Sequence, residues 1–159
     1  MNKKIGLFWL RDDFRLVRND GLAEATYNHD KVVVFYLYKE QIYKEQQAQK
    51  WWLNKSLLNF EKQLNKLNIN LEIVETKSFK IFFDKLVKKN DFSIYWNKVY
   101  EPEFMKFDEY LLSSFKNKNI VFKRFRGNAL NEIHEVKKND GTPFKVFTPF
   151  WRTAEKHYI

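Results

Sequence analysis

Short apolar runs alternate with segments of helical spacing along most of the chain. Five runs are rich in β-branched or aromatic residues, which is typical of buried parallel strands. The segments between them repeat their apolar residues at helical intervals. This alternation predicts an α/β fold, a Rossmann-like doubly wound five-stranded parallel sheet with helices on both faces and right-handed crossovers. The predicted strands are 4–9, 31–37, 71–75, 92–96 and 120–125, and the predicted helices are 19–28, 46–67, 78–88 and 103–116.

The predicted helix 46–67 has the clearest pattern of buried and exposed positions. Trp51 and Trp52 are adjacent, so their side chains point to different faces of this helix. We expect one of them in the core and the other either under the edge of the sheet or exposed as a stacking platform. The apolar stripe comprises Leu53, Leu57, Phe60, Leu64 and Leu67, while Trp52, Ser56, Asn59 and Gln63 share another face.

The alternation stops after the fifth predicted strand. Residues 126–128 open a loop, 130–136 have an irregular pattern, and 139–141 are a turn signal. Thr148 and Pro149 then suit the N-cap and first position of a last helix. We therefore divide the chain into an α/β domain, 1–126, and a connecting segment, 127–159.

Composition narrows the classes of function. Hydrophobic residues make up 44% of the 159, enough for a core, and no cysteine is present for disulfides or thiolate metal sites. The three histidines are far apart, which disfavours a metal cluster, and we assign no metal ligands. Because the start lacks a signal-peptide pattern and no apolar run approaches about 20 residues, we expect a cytoplasmic protein without a membrane partner.

The formal charge of +9 indicates attraction to polyanions, yet the basic residues are not gathered in one tract. Two interpretations stay open, a solvated basic surface, which we favour, and a nucleic-acid patch. Glycine-rich phosphate loops and the nucleophile elbow G-x-S-x-G are absent from the sequence. We therefore assign no catalytic residue to this chain.

Ligands of open parallel sheets bind beyond the carboxyl ends of the strands. Asn97 and Glu101 follow the fourth predicted strand and could hydrogen-bond the edge of a flat heterocycle. The alternatives for these two are a helix-start cap and a solvated carboxylate. Near the first strand, Arg11, Asp13 and Arg15 alternate in sign, which favours an internal salt-bridge network that ties the loop to the next helix.

Four segments carry distinctive motifs, namely 8–16 (FWLRDDFRL), 50–57 (KWWLNKSL), 95–102 (YWNKVYEP) and 141–152 (GTPFKVFTPFWR). In this order and at these separations they resemble the N-terminal domain of the DNA photolyase and cryptochrome family. The resemblance covers nearly the whole chain.

The resemblance implies the antenna-chromophore domain of a bacterial deoxyribodipyrimidine photolyase, a light-driven DNA-repair lyase. It implies that FAD, the electron relay and the DNA lesion site belong to a helical domain absent here, so the chain alone is expected to be inactive. DNA is then a partner of the full-length parent. The implied pigment pocket comprises Phe35, Tyr36, Leu37 and Tyr38 after the second strand and Asn97, Tyr100 and Glu101 after the fourth.

Two departures from the family pattern matter. Tyr38 stands where deazaflavin-binding members usually have an acidic residue, and Arg18 replaces the usual Asp before Asn19. The paired tryptophans resemble bacterial members with a folate, so we expect methenyltetrahydrofolate. We also expect self-association through 144–159. The alternatives are a cryptochrome photoreceptor domain, a stand-alone nucleotide- or pigment-binding module and a basic DNA-binding domain without pigment.

Overall fold

A computed structural model describes residues 5–39, 46–89, 92–115, 120–127, 129–132 and 134–157. The ends of two predicted elements, Lys4 and Lys116, and Tyr158 of the last segment lie outside the described residues. The strands are β1 (Ile5–Leu10), β2 (Val32–Tyr38), β3 (Asn70–Glu75), β4 (Phe92–Asn97) and β5 (Val121–Phe125). The helices are α1 (Asp20–Asn28), α2 (Gln47–Asn65), α3 (Phe79–Leu86), α4 (Pro102–Ser114) and α5 (Phe147–Ala154), followed by a 3₁₀ turn, Glu155–His157.

The five strands form one parallel sheet in the order β3-β2-β1-β4-β5. The predicted α/β fold is therefore confirmed, and each strand begins and ends within a residue or two of its predicted bounds. The strand order reverses between β1 and β4, which makes the carboxyl ends of the central strands the expected place for a ligand.

Alternate residues of the strands supply a core on each face of the sheet. On one face Phe8 packs in a cluster with residues of α1 and α2. On the other face Trp9 packs with residues of α3 and α4, and its ring lies edge-on to Phe83 with centroids 5.0 Å apart. Both rings are about 1% exposed or less. The sheet is therefore buried on both sides, as its near-continuous apolar strands require.

Helix α2 corrects the expectation for the two tryptophans. Its buried side chains are Leu57, Phe60 and Leu64. Trp51 and Trp52 are 59% and 69% exposed, so the expectation that one of them lies in the core is wrong. At about 100° per residue both positions turn away from the buried stripe. The last leucine of the predicted stripe, at position 67, is also exposed, because the helix ends at residue 65.

The chain divides into two compact units, Met1–Gly127 and Asn128–Ile159. In the second unit α5 begins two residues earlier than predicted, with Val146 rather than Thr148 at the N-cap position. Pro149 still falls in the first turn, where the backbone N–H that proline lacks has no helical partner. The aromatic side chains of this unit contact one another, and the rings of Phe147 and Trp151 are stacked with centroids 6.1 Å apart.

A buried ion pair joins the carboxyl end of β1 to α4. Arg11 donates through Nη1 to Oδ1 of Asp108 at 3.0 Å and through Nη2 to Oδ2 at 3.2 Å. Its Nη2 also donates to the backbone carbonyl of Asn97 at the end of β4. Arg124 of β5 approaches the same carboxylate at 3.7 Å. The guanidinium of Arg11 thus links the ends of β1 and β4 to α4. The carboxylate of Asp108 in turn links α4 to β5 through Arg124.

Burial disfavours the charged forms of Arg11 and Asp108, whereas the attraction between the two groups favours them. Desolvation raises the pKa of Asp108 despite the opposing charge and hydrogen bonds of Arg11, and it lowers the pKa of Arg11. Because Asp108 is 0% exposed, the loss of either partner leaves a charge or a set of donors without compensation. The pair is therefore costly to break from one side only.

We predict that Asp108→Asn lowers the free energy of unfolding by about 3 kcal/mol or more, because Arg11 would lose its counter-charge inside the protein. Urea denaturation followed by circular dichroism measures this change. The matched control is Asp84→Asn, which removes a carboxylate from the exposed ion pair with Lys80 and should cost less than about 1 kcal/mol. The double variant Arg11→Met/Asp108→Leu should be less destabilised than Asp108→Leu alone; equal or greater loss would contradict this account.

Candidate functional site

A crevice lies at the carboxyl ends of β1 and β2, where α3 and α4 begin. It has a volume of about 250 Å³. A second hollow of about 400 Å³ shares four lining residues with it, so the two lie side by side. We call the two together the strand-end crevice. The shared residues are Lys39, Phe79, Glu101 and Phe104.

The walls of the strand-end crevice are aromatic and its rim is charged. The rings of Phe79 and Phe104 lie 6.1 Å apart, and both belong to the first turn of a helix. The ammonium of Lys39 lies 3.8 Å from the centre of the Phe79 ring, and the guanidinium carbon of Arg11 lies 5.5 Å from the Phe104 ring. Glu101 places an exposed carboxylate on the same rim. Flat apolar faces beside separate positive and negative groups suit a heterocycle with polar edges.

The four residues expected on β2 divide among three places. Tyr36 and Leu37 line the strand-end crevice. Phe35 is 4% exposed and packs in the core, its ring centre 5.6 Å from that of Phe82. Tyr38 lines a different groove, beside Trp51 of α2. Alternation places Phe35 and Leu37 on one face of the sheet and Tyr36 and Tyr38 on the other, so Tyr36 and Leu37 share the end of the strand and not a face.

Asn97 is 5% exposed and uses its whole amide inside the protein. Its Nδ2 donates to Oδ2 of Asp13 at 3.1 Å and to Oδ1 of Asn19 at 2.9 Å. Its Oδ1 accepts from the backbone N–H of Gly21 at 3.2 Å. A Cβ at Gly21 would lie 2.6 Å from this oxygen, so the close approach of α1 requires glycine. Asn97 therefore fixes the start of α1 rather than facing the strand-end crevice.

The predicted salt-bridge network after β1 is present with a different pairing. Asp13 accepts from Nε and Nη2 of Arg15, each at 2.7 Å, whereas Arg11 pairs with the carboxylate of α4. Burial alone would raise the pKa of Asp13, but the hydrogen bonds from Arg15 and Asn97 outweigh it and hold this pKa below its usual value. The network forms with Arg18 in place of the usual acidic residue, and Arg18 takes a left-handed backbone conformation with φ 56°.

The last two expected residues follow β4. The hydroxyl of Tyr100 accepts from the backbone N–H of Gly127 at 3.4 Å, within the first unit. Glu101 occupies the N-cap position of α4 but makes no side-chain capping bond, so its carboxylate is a rim group and not a cap. Of the seven expected pocket residues, the structure thus brings three to the strand-end crevice, and these are Tyr36, Leu37 and Glu101.

Most residues that line the strand-end crevice are not among the seven expected ones, and three of them give it its character. Sequence patterns predict only helix positions for Phe79 and Phe104, and they assign no ligand contact to Lys39. The sequence does offer a signal for the two aromatic residues. The first turn of a helix that follows a parallel strand lies near the carboxyl ends of the strands, where ligands bind, and both Phe79 and Phe104 occupy such a turn. Among the described residues no group of acidic or histidine side chains could hold a metal ion, and no helix is long and apolar enough to cross a bilayer.

Comparisons with known proteins agree with this architecture. The family model described as DNA photolyase matches residues 6–159. The deoxyribodipyrimidine photo-lyase of Agrobacterium fabrum is 28% identical over 149 residues, which are 94% of this chain and 31% of that protein. The chain thus spans about a third of the length of that relative.

Solved structures show the same fold. A bacterial class III photolyase from Agrobacterium tumefaciens superposes with a TM-score of 0.83 at 26% identity, over 98% of this chain and 32% of that one. An archaeal photolyase from Sulfolobus tokodaii, described with two FAD molecules and a novel light-harvesting cofactor, gives 0.71 at 22% identity, over 96% and 35%. With the family model matching residues 6–159 and the fold superposing on that of a solved photolyase, this chain belongs to the DNA photolyase family.

Proposed function

We propose that this chain is the antenna domain of a light-driven DNA-repair photolyase and that it holds a light-absorbing pigment in the strand-end crevice. The observation that carries the proposal is the crevice itself, lined by the adjacent rings of Phe79 and Phe104 and bearing charges of both signs on its rim, at the carboxyl ends of the central strands. This position is where doubly wound sheets bind their ligands. The repair activity, its flavin and its DNA substrate are proposed for a full-length photolyase and not for this chain, which spans about a third of the length of its Agrobacterium relative.

The size of the crevice suits a fused-ring pigment with a polar tail. The inner part, about 250 Å³, is small for a complete cofactor, but the adjoining 400 Å³ hollow extends it along α3 and α4. A ring system could lie against the adjacent rings of Phe79 and Phe104 while a longer substituent follows the hollow. The light-harvesting role described for the Sulfolobus photolyase supports a second chromophore on this fold.

The rim charges favour a folate among the pigments that the family resemblance implies. A pterin ring presents N–H groups along one edge, and the carboxylate of Glu101 can accept hydrogen bonds from them. The glutamate tail of a folate carries carboxylates, which Lys39 can neutralise at the rim. We therefore propose methenyltetrahydrofolate, held by Tyr36, Leu37, Phe79 and Phe104 through apolar contact and oriented by Glu101 and Lys39.

In this proposal the chain positions the pigment and takes no part in making or breaking bonds. A bound antenna pigment would absorb light and pass the excitation to a flavin held by the rest of the protein. The residues of the strand-end crevice exclude water from the ring faces and fix the orientation of the pigment. We assign no proton transfer and no nucleophile to any of these side chains.

We predict that the purified chain binds methenyltetrahydrofolate with a Kd no tighter than about micromolar. The variants Glu101→Gln and Lys39→Gln should each weaken this affinity by about tenfold, because each removes one charge-assisted contact. Near-ultraviolet absorption of the folate measures binding. Glu72→Gln and Lys31→Gln are matched controls on exposed residues that do not line the crevice and should leave the Kd within about twofold.

The double variant Phe79→Ala/Phe104→Ala tests the same site through its walls and should abolish detectable folate binding. Circular dichroism of this variant shows whether the fold persists. Undiminished affinity in a folded double variant, or equal losses in the crevice variants and their controls, would remove the site assignment.

The second unit exposes an apolar surface that generates a separate prediction. Phe147 is 71% exposed, Val146 63% and Trp151 41%, all within six residues. Exposed apolar groups of this kind promote association. We predict concentration-dependent dimers in sedimentation velocity, which Phe147→Ser should shift towards monomer. The control Tyr27→Ser changes an aromatic residue that is 87% exposed in the first unit and should leave the sedimentation unchanged; a monomer at all concentrations would contradict the prediction.

A further inference from the structure

The outward face of α2 combines aromatic rings with lysines. Trp51, Lys55, Leu58 and Lys62 follow one another at intervals of four, three and four residues, so they form a single stripe. All four are exposed, and Lys66, just after the helix, continues the stripe. Trp52 lies beside its first member, the two indole rings having centroids 6.2 Å apart. We call this surface, Trp51, Trp52, Lys55, Leu58, Lys62 and Lys66, the α2 outer face.

The α2 outer face carries positive charge that no carboxylate of the described residues neutralises. Between residues 47 and 66 the sequence holds four lysines and one acidic residue, Glu61, which is half-buried at the flank of the stripe. Within the described part of the chain no carboxylate forms an ion pair with Lys55, Lys62 or Lys66. Lys55 instead lies over the ring of Trp51, its Nζ 5.7 Å from the ring centre. The surface therefore offers positive charge next to open aromatic faces.

The combination of exposed aromatic rings and lysines discriminates between three kinds of partner, namely a lipid bilayer, another protein and a single-stranded nucleic acid. A bilayer would require a continuous apolar stripe with cations at its sides, whereas here Lys55 and Lys62 occupy the middle of the stripe and Leu58 is its one aliphatic member. The core of a protein interface is depleted of lysine. Single-stranded nucleic acid needs what the face supplies, aromatic platforms for unpaired bases and cations along the phosphates.

We propose that the α2 outer face binds single-stranded nucleic acid, with bases stacked on Trp51 and Trp52 and the phosphate backbone running along Lys55, Lys62 and Lys66. From Trp51 to Lys66 the stripe is about 22 Å long at 1.5 Å per residue, enough for a stretch of a few nucleotides. The face lies on α2, whereas the walls of the strand-end crevice come from α3 and α4. The proposal is therefore independent of the pigment and goes beyond the proposed function.

Fluorescence anisotropy of a labelled oligothymidylate of about 12 nucleotides, titrated with the 159-residue chain at low salt, tests the proposal. The triple variant Lys55→Gln/Lys62→Gln/Lys66→Gln should weaken binding by about tenfold or more. It should also reduce the slope of log K against log salt by about 2, as the loss of three phosphate contacts requires. The charge-matched control Lys85→Gln/Lys88→Gln/Lys89→Gln, on and just after α3, should weaken binding by less than about threefold.

Substitution of the tryptophans tests the proposal a second time, because it changes the stacking surface and leaves the net charge unaltered. Trp51→Ala/Trp52→Ala should weaken oligothymidylate binding by about tenfold, while Trp51→Phe/Trp52→Phe should retain most of the affinity, because a phenyl ring still stacks. Folate titration should be unchanged in all of these variants, which separates this proposal from the pigment site. The proposal is overturned by absence of binding at low salt, by equal losses in the two lysine triples, or by tighter binding to vesicles of phosphatidylserine than to the oligonucleotide.

Discussion

The contact between Arg11 and Asp108 is the constraint on which the functional end of this sheet depends. The strands are parallel, so their carboxyl ends have no hairpins to hold them in register with the following helices. Arg11 supplies that link, since it bonds both the carboxylate of α4 and the last carbonyl of β4. Burial disfavours both charges, so the geometry persists only while both partners are present.

The strand-end crevice follows from this arrangement. With the loop after β1 held against α4, the first turns of α3 and α4 bring Phe79 and Phe104 together beside the ends of β1 and β2. Asn97 has a parallel role on the other face, where it ties the end of β4 to the start of α1. The polar residues at the strand ends thus form two sets. Buried ones such as Arg11 and Asn97 hold strands and helices together, whereas exposed ones such as Glu101 lie on the rim of the crevice.

Periodicity predicted the sheet because strands buried on both faces have an unmistakable apolar pattern, and every strand was placed within a residue or two. The candidate site was predicted less completely. Sequence places Asn97 at a strand end but does not show that its amide is satisfied by Asp13, Asn19 and Gly21, contacts across 76 to 84 residues of chain. The expected core position for Trp51 or Trp52 was wrong for a different reason, since both lie outside the apolar stripe of α2 and large apolar side chains can also stand exposed.

The orientation of the buried ion pair has an optical consequence. Asp108 is fully enclosed, whereas Arg11 also lines the strand-end crevice, so the pair is a dipole whose positive end faces that space. Its direction is fixed by two hydrogen bonds, and such a dipole exerts a steady electric field on whatever occupies the crevice. The absorption maximum of a pigment held there, as proposed, would shift with that field, so the contact that fastens a helix to the sheet would also tune the pigment's colour.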